Sequence, residues 1–317
     1  MLAVVSVALA APSFAQEATW PTRPIRLVVP YPPGGFTDIL GRLLAEKLQG
    51  ALGQPVIVDN RGGGGSTIGT GAVAKAAPDG YTLLLVAADL AINESLLADR
   101  LPYAARKDFA PVAQVAWSPM VFVVNPSLPA NTFPEFVALA KRTPGKIAVA
   151  SGGNGTGAHL ALEMLKSRAG IDVLHVPYKG NGPALTDLLG NQVSAMFLQY
   201  AVAKPHIDAG KLHVLATPSG TRSAAIPNVP TLAESGLPGF DVQPWFGIVV
   251  RAGTPQVVID RLHAEISKVM AQAEVKRRLS EQGAQATTTT PGQFSQFIAS
   301  EIARWAEVVK ASGAKVE

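Results

Sequence analysis

Residues 25–49 read IRLVVPYPPGGFTDILGRLLAEKLQ, and this stretch decides the fold. It starts with a short apolar run, Ile25–Val29, typical of a buried strand. Prolines and glycines follow; prolines fix φ near −65°, and glycines reach backbone conformations closed to other residues. An amphipathic helical pattern then begins at once, and its apolar face holds Ile39, Leu40, Leu43, Leu44 and Leu48. The stretch predicts a strand, a rigid corner and a helix that ends near Gly50 or Gly53.

Strand and helix patterns continue to alternate along the rest of the chain. They form two series, and alternation of this kind predicts mostly parallel sheets with helices on both faces. The predicted fold class is therefore α/β with two lobes.

The composition excludes several classes of protein. The chain has 317 residues, 48% of them apolar and 16% charged, which is typical of a folded globular protein. Lys and Arg exceed Asp and Glu by 27 − 23 = 4 without a basic run, so we do not expect nucleic-acid binding. The chain has no cysteine, which excludes disulfides and thiolate chemistry.

The first fifteen residues, MLAVVSVALAAPSFA, predict a signal peptide. The run is apolar and too short to span a bilayer, and it ends in Ser13-Phe14-Ala15, which resembles an A-x-A cleavage site. A basic n-region is missing, and a buried N-terminal helix is the alternative interpretation. We expect an exported chain that starts near Gln16 and works in the periplasm.

Four predicted strand-to-helix corners are rich in glycine and small hydroxyl residues: YPPGGFTD at 31–38, NRGGGGSTIG at 60–69, SGGNGTGAHL at 151–160 and YKGNGP at 178–183. Helix N-termini present unpaired N–H groups with a partial positive charge, and glycine lets a ligand approach the backbone. In open α/β sheets ligands bind beyond the carboxyl ends of the strands. The corners therefore predict a site for a carboxylate or a phosphate.

One corner also matches a dinucleotide-binding pattern. Residues 153–158, GNGTGA, fit G-x-G-x-x-A between a strand and a helix, so a nicotinamide-dependent oxidoreductase stays as an alternative. The strand that follows ends in Tyr178 and Lys179, whereas a ribose would need an acidic residue there. Neither a P-loop nor a G-x-S-x-G elbow is present.

Two titratable residues at the corners have two interpretations each. His159 opens a predicted helix and either donates to a bound carboxylate or bonds to the backbone. Asp38 lies in the first turn of its helix, where it complements the dipole, although it could also bind a ligand amine. The five histidines form no H-x-x-x-H pair and no carboxylate cluster supports them, so we predict neither a metal nor a cofactor.

Longer stretches carry a family resemblance, among them PIRLVVPYPPGGFTD, VIVDNRGGGGSTIGTGAVAKAAPDGYTLLL, HVPYKGNGPALTDLLGNQVSAMF, IPNVPTLAESGLPGF and EIARWAEVVKASG. From about residue 22 to the end, the chain resembles the Bug-type periplasmic receptors of tripartite tricarboxylate transporters. The resemblance implies a two-lobed, type II-like periplasmic-binding-protein fold with a ligand cleft between the lobes. In such receptors the chain crosses between the lobes twice, so the crossings would lie near Val124–Asn125 and Phe240–Pro244. The first lobe would then comprise residues 22–124 and 240–317, and the second residues 125–239. It also implies capture of a small carboxylate by hinge closure and delivery to membrane permease subunits.

The resemblance implies the site residues as well. Lobe one would contribute Tyr31, Gly34, Gly35, Phe36, Thr37, Asp38, Ser66 and Thr67, and lobe two would contribute Ser151, Asn154, Thr156, His159 and Tyr178. We add Ala88 and Gln199 as residues that set the width of the pocket. The family commonly has an aspartate where this chain reads Leu198-Gln199-Tyr200, and a neutral amide there disfavours a ligand amine. The ligand would then be a neutral-bodied carboxylate, aromatic or a dicarboxylate among the options.

The expected role is that of a solute receptor and not of an enzyme. We expect a monomer that works with a membrane permease. A ligand-sensing receptor for a membrane signalling partner remains an alternative that the residues do not separate from transport.

Overall fold

The computed structural model describes residues 20–315, so the predicted signal peptide lies outside the described residues. The described chain forms two sheets with helices packed on them. In β1 the side chains of Ile25, Leu27 and Val29 pack on one face of the sheet and Val28 packs on the other. Both faces are buried because helices cover both, as the continuous apolar strand runs predict.

The first lobe is built on a sheet of six described strands in the order β11-β4-β10-β3-β1-β2. Strands β1, β2, β3 and β4 run in the same direction, whereas β10 and β11 run against them. The strands are β1 (Ile25–Val29), β2 (Val56–Asn60), β3 (Thr82–Val86), β4 (Phe109–Trp117), β10 (Trp245–Arg251) and β11 (Gln285–Ala286).

The second lobe has a sheet of five described strands in the order β7-β6-β8-β5-β9. Only β5 runs against the other strands of this sheet. The strands are β5 (Met120–Val124), β6 (Ala148–Ser151), β7 (Leu174–Pro177), β8 (Ala195–Gln199) and β9 (His213–Ala216). Most strands in each lobe are therefore parallel in direction, but an antiparallel strand lies inside each sheet.

The first crossing between the lobes lies earlier than the sequence predicts. Met120–Val124 was predicted in the first lobe, but β5 belongs to the second sheet, so the chain crosses at Ser118 and Pro119. The apolar run of β5 follows β4 after two residues, which makes the pair look like one strand in the sequence. The second crossing lies between the end of β9 at Ala216 and the start of β10 at Trp245, a range that includes the predicted residues 240–244. The Ser118 N–H donates to the carbonyl of Pro244 at 3.2 Å.

The predicted first helix is present and ends where expected. Its apolar residues Leu40, Leu44 and Leu48 are fully buried, and Gly53 caps it at φ 68°. The helices are α1 (Phe36–Leu52), α2 (Thr67–Ala74), α3 (Asp89–Leu96), α4 (Ala105–Asp108), α5 (Phe133–Arg142), α6 (Gly157–Ala169), α7 (Asn181–Leu189), α8 (Tyr200–Asp208), α9 (Gln256–Ala271), α10 (Ala273–Glu281) and α11 (Pro291–Ser312). A 3₁₀ turn, Ala98–Arg100, follows α3.

The C-terminal helix α11 connects the two lobes. It packs on α3 and β4 of the first lobe and also on α6 of the second. Its N-terminus carries a capping box, because Thr290 accepts from the Gln293 N–H and the Gln293 side chain accepts from the Thr290 N–H. Within residues 20–315, none of the helices combines the length and the apolar character that a membrane span requires.

Candidate functional site

The main candidate site is a cavity between the lobes, next to the two crossings; we call it the cleft cavity. It offers about 50 Å³ to water-sized groups. Of the helices that the structure describes, α1, α3, α6, α7 and α8 begin at this cavity, because their first residues or N-caps line it. The lining residues are Tyr31, Pro32, Gly35, Phe36, Thr37, Ala87, Ala88, Asp89, Met120, Thr156, Gly157, Ala158, Asn181, Gln199, Val242, Gln243, Pro244, Phe246 and Trp305.

Two helix N-termini from opposite lobes face the cavity with unpaired donors. The N–H groups of Phe36 and Thr37 in α1, and of Gly157 and Ala158 in α6, have no acceptor within residues 20–315. The first N–H groups of a helix lack intrahelical partners and carry a partial positive charge. A carboxylate between α1 and α6 could therefore accept from both lobes at once.

The lining of the cleft cavity is almost uncharged. Among the described residues that line it there is no Lys, Arg or His, and Asp89 is the one carboxylate. Asp89 is 3% exposed and accepts a hydrogen bond from the Tyr31 hydroxyl at 2.6 Å. Burial raises the pKa of Asp89, although the hydrogen bond from Tyr31 acts against that shift. An anion in this cavity would depend on neutral donors.

The Pro-Gly corner before α1 holds its shape through Asp38. The Asp38 carboxylate accepts from Arg42 at 3.1 Å, from Asn60 at 3.0 Å and from the Gly34 N–H at 3.2 Å. Burial raises the pKa of Asp38, but these hydrogen bonds outweigh it and hold the pKa below its ordinary value. Asp38 is thus structural, and the Gly34 N–H is not available to a ligand, contrary to the sequence expectation.

The second-lobe corner holds its shape through two stacked histidines. Thr156 caps α6, and His159 Nδ1 accepts from the Gly155 N–H at 3.1 Å, which is the backbone-bonded alternative for this residue. The His159 ring stacks on His175 at 4.5 Å, and His175 Nε2 lies 2.7 Å from the Ser151 hydroxyl. Burial lowers the pKa of both histidines to about 4, so both rings are neutral at pH 7.

His159 and His175 form a cluster with Glu163. No sequence motif reveals it, because His159 and Glu163 lie on α6 whereas His175 comes from the separate strand β7. The candidate ligand atoms of the three residues lie within 4.8 Å of one another. Since His159 Nδ1 accepts a hydrogen bond, its proton lies on Nε2, and the two rings are only 15° from parallel. Their lone pairs therefore do not converge on one point, and Glu163 is paired with Lys166 at 3.1 Å. The arrangement supports the corner better than it would hold a metal ion.

The predicted site residues fall into three groups. Tyr31, Gly35, Phe36, Thr37, Ala88, Thr156 and Gln199 line the cleft cavity. Thr67, Asn154 and Tyr178 line a separate groove of about 390 Å³, and Tyr178 donates to Asp187 at 2.6 Å. Gly34, Asp38, Ser66, Ser151 and His159 line neither space and lie in or behind the corners.

Several lining residues were missed. Asp89 follows a buried strand and Asn181 belongs to the YKGNGP corner, so the rule used for the other corners could have found both. Asn181 donates to Gln199 at 2.7 Å. Trp305 is buried in α11, far from the corners in sequence, and no local signal points to it. Trp245, at the start of β10, does not line the cavity; its indole N–H donates to Glu301 at 2.8 Å.

The lobes touch along the glycine-rich corners. A Cβ on Gly65 of the first lobe would lie 1.8 Å from the Asn154 carbonyl oxygen of the second. A Cβ on Gly155 would lie 2.1 Å from Asn93 Oδ1. The GNGTGA corner is thus covered by the first lobe, which argues against its use for a dinucleotide pyrophosphate. The lobes are in a closed arrangement.

A two-lobed α/β architecture with a cavity between the lobes and five helix N-termini facing it defines a solute-binding protein. Comparison with known proteins agrees. Residues 40–314 match the family described as "Tripartite tricarboxylate transporter family receptor". The chain therefore belongs to the receptor family of tripartite tricarboxylate transporters.

Individual relatives span essentially the whole chain. Protein BugT of Bordetella pertussis is 42% identical over 322 residues, covering 100% of this chain and 98% of that protein. The structure of Rpa4515 from R. palustris with adipate has a TM-score of 0.90 at 32% identity, covering 94% of this chain and 100% of the other. MatC from Rhodopseudomonas palustris with bound malate has a TM-score of 0.87 at 33% identity, covering 92% and 100%.

Proposed function

We propose that this chain is a periplasmic receptor that captures a small organic carboxylate between its lobes and delivers it to the permease subunits of a tripartite transporter. The observation that carries the proposal is the pair of opposing N-termini, α1 and α6, at a cavity whose described lining contains no cation. Family membership supports the transport role, and the relatives bound to adipate and malate support an organic acid.

Hinge closure is the proposed mechanism of capture. An open form admits the acid, and donors from both lobes reach it only when the lobes close, so binding favours the closed form. The two crossings, at Ser118–Pro119 and residues 240–244, are the hinge in this account. The receptor acts as a monomer, which light scattering of the purified chain tests directly.

The lining also favours an acid without an amine. Gln199 is neutral and already accepts from Asn181, and the Asp89 carboxylate is engaged by Tyr31. An ammonium group would then lack an unengaged carboxylate partner among the described lining residues. We expect a deaminated acid to bind more tightly than the corresponding amino acid in calorimetry; the reverse order would contradict this part of the proposal.

A melting-temperature screen tests the function. The mature chain is heated with mono-, di- and tricarboxylates, and with a nicotinamide dinucleotide as the enzyme control. At one hundred times its dissociation constant a true ligand adds about 2.7 kcal/mol to the free energy of unfolding. In small-angle scattering, the chain with its best ligand should have a smaller radius of gyration than the chain alone. If only the dinucleotide raises the melting temperature, or no acid does, the proposal fails.

A further inference from the structure

A second space adjoins the cleft cavity at the two crossings; we call it the hinge pocket. It measures about 370 Å³, within the range of small-molecule sites. Both crossings contribute to its wall, as do the loop of residues 219–224 in the second lobe and Gly283 and Gln285 in the first. A molecule in the hinge pocket would thus contact both lobes and the segments about which they move.

The cleft cavity and the hinge pocket share one wall. Met120, Val242, Gln243 and Pro244 line both spaces. Methionine is flexible and adapts to its neighbours, and the Gln243 residue is exposed, so this wall is not rigid. The side chains of Met120 and Gln243 are therefore the part of this wall that a ligand can displace.

The sizes of the two spaces limit how a ligand can lie. A water molecule needs about 10–15 Å³ in this measure, so the 50 Å³ of the cleft cavity admits only a few water-sized groups. That is room for a carboxylate and a few carbons. The larger volume lies in the hinge pocket, and the body of a longer acid would extend into it while its carboxylate stays between α1 and α6.

The polar groups of the hinge pocket indicate what the far end of such an acid carries. Ser118 is 2% exposed, and its hydroxyl has no hydrogen-bond partner within residues 20–315. A buried hydroxyl without a partner is costly, so a ligand that bonds to it gains from that contact. The pocket's cation, Arg222, is paired with Glu234 at 2.9 Å and donates to the Pro227 carbonyl. A second carboxylate near Arg222 would therefore meet a cation whose charge Glu234 already compensates.

We infer, granting the proposed function, that the ligand is an elongated acid with one carboxylate in the cleft cavity and a neutral hydrogen-bonding group, such as a hydroxyl, in the hinge pocket beside Ser118. Ser118 is then a specificity-determining residue for the far end of the ligand. Long ω-hydroxy acids fit this description better than dicarboxylates or simple fatty acids of equal length.

The test compares three acids at each of three lengths by calorimetry. At six carbons the set is hexanoate, 6-hydroxyhexanoate and adipate, and matching sets have four and eight carbons. We expect the hydroxy acid to bind about tenfold more tightly than its two partners at the best length. Ser118→Ala should reduce the hydroxy acid to the affinity of the simple acid, and Ser267→Ala, on α9, serves as the matched control.

The variant should fold, because the Ser118 hydroxyl has no partner to lose, and its melting temperature without ligand verifies this. The inference is overturned if the dicarboxylate or the simple acid binds most tightly at every length. It is equally overturned if Ser118→Ala leaves the preference unchanged or weakens all three acids alike. In those cases acids still bind and the proposed function stands, whereas binding of no acid at all refutes both.

Discussion

The Asp89 carboxylate lies among the neutral donors of the cleft cavity and carries the one formal charge among the described lining residues. If it is ionised it repels a bound carboxylate, and the Tyr31 hydroxyl at 2.6 Å only partly offsets that repulsion. We expect Asp89→Asn to bind the acid about fivefold more tightly, roughly 1 kcal/mol, because the substitution removes the repulsion between two negative charges. Calorimetry at pH 7 measures the change, and weaker binding by the variant would show that Asp89 contacts the ligand favourably.

Gly65 limits how closely the lobes can approach. A Cβ there would lie 1.8 Å from the Asn154 carbonyl oxygen, so Gly65→Ala should hold the lobes apart and weaken ligand binding at least tenfold. The matched control is Gly53→Ala, because Gly53 also has a positive φ, 68° against 60°, but no atom lies within 4 Å of its added Cβ. Both variants lose about 1 kcal/mol of stability through backbone strain. Equal ligand affinity in the two variants would argue against close contact of the corners in the bound form.

At the scale of residues, the sequence predicts where the ligand-binding corners lie better than it predicts which residues of each corner face the cavity. Gly35–Thr37 and Thr156 were predicted and line the cavity, because a helix that follows a strand must begin at the sheet edge. Ser151 and His159 lie behind the corner instead, since each is bonded to a neighbour that the local sequence does not reveal. Which side chain of a corner faces the ligand depends on packing from elements far away in the chain.

At the scale of elements, α6 and β7 meet through the stacked His159 and His175, and this contact makes stability depend on pH. Burial lowers both pKa values to about 4, whereas unfolded histidines titrate near 6.5. Between these values the unfolded chain binds more protons than the folded chain. The contribution is therefore complete above pH 6.5 and is lost as the pH falls towards 4.

We expect the free energy of unfolding from urea titrations to fall by about 2 kcal/mol for each histidine of this pair between pH 7 and pH 4.5. His175→Gln should remove about half of this pH-dependent decrease in the free energy of unfolding, which we call the pH slope, because a single buried imidazole remains. His213→Gln, at an exposed position in β9, should leave it unchanged. An unchanged pH slope in His175→Gln would mean that other groups set the acid sensitivity.

Helix α11 positions a wall of the cleft cavity through Glu301. This carboxylate is 5% exposed and accepts from the indoles of Trp245 at 2.8 Å and Trp305 at 3.0 Å, and from Arg304 at 2.7 Å. Glu301→Ala leaves two buried indole N–H groups unpaired, so we expect a loss of about 3 kcal/mol in urea denaturation. Ligand affinity should fall too, because Trp305 lines the cavity.

The control on the same helix is Glu307→Ala, at an exposed position, which should stay within about 0.5 kcal/mol of the parent chain. If Glu301→Ala is no less stable than Glu307→Ala, then Glu301 does not hold the two tryptophans. The contact of α11 with α6 of the other lobe was not predicted from the sequence. Amphipathic periodicity shows that a helix buries one face and does not show which element covers it.

At the scale of the whole molecule, the sequence predicts the two-lobed architecture and most of its elements. Alternating strands and helices predict the layers, the two series of elements predict two lobes, and the family resemblance implies where the chain crosses between them. The position of the first crossing was wrong because β5 is as apolar as β4 and follows it after two residues. The short helix α3 was not predicted, because its buried polar residues, among them Asp89 and Asn93, hide the amphipathic pattern.

The antiparallel strands have a physical explanation at the same scale. The chain leaves β4 at Trp117 and enters the second sheet at Met120, at the edge of that sheet that faces the cleft. Because β5 begins at this edge, it runs away from the cleft, against β8. Strand β10 returns in the same way, beginning at Trp245 opposite Trp117. The strands that follow the crossings therefore run against their neighbours, and both crossings lie together where the hinge pocket forms.

The central claim is that the N-termini of α1 and α6 hold a carboxylate from opposite lobes without a protein cation. A crystal structure with the acid that most raises the melting temperature tests it most directly. We predict carboxylate oxygens within hydrogen-bond distance of backbone N–H groups in Gly35–Thr37 and in Gly157–Ala158. A carboxylate bound instead by an Arg or Lys side chain, or contacting one lobe alone, would contradict the account.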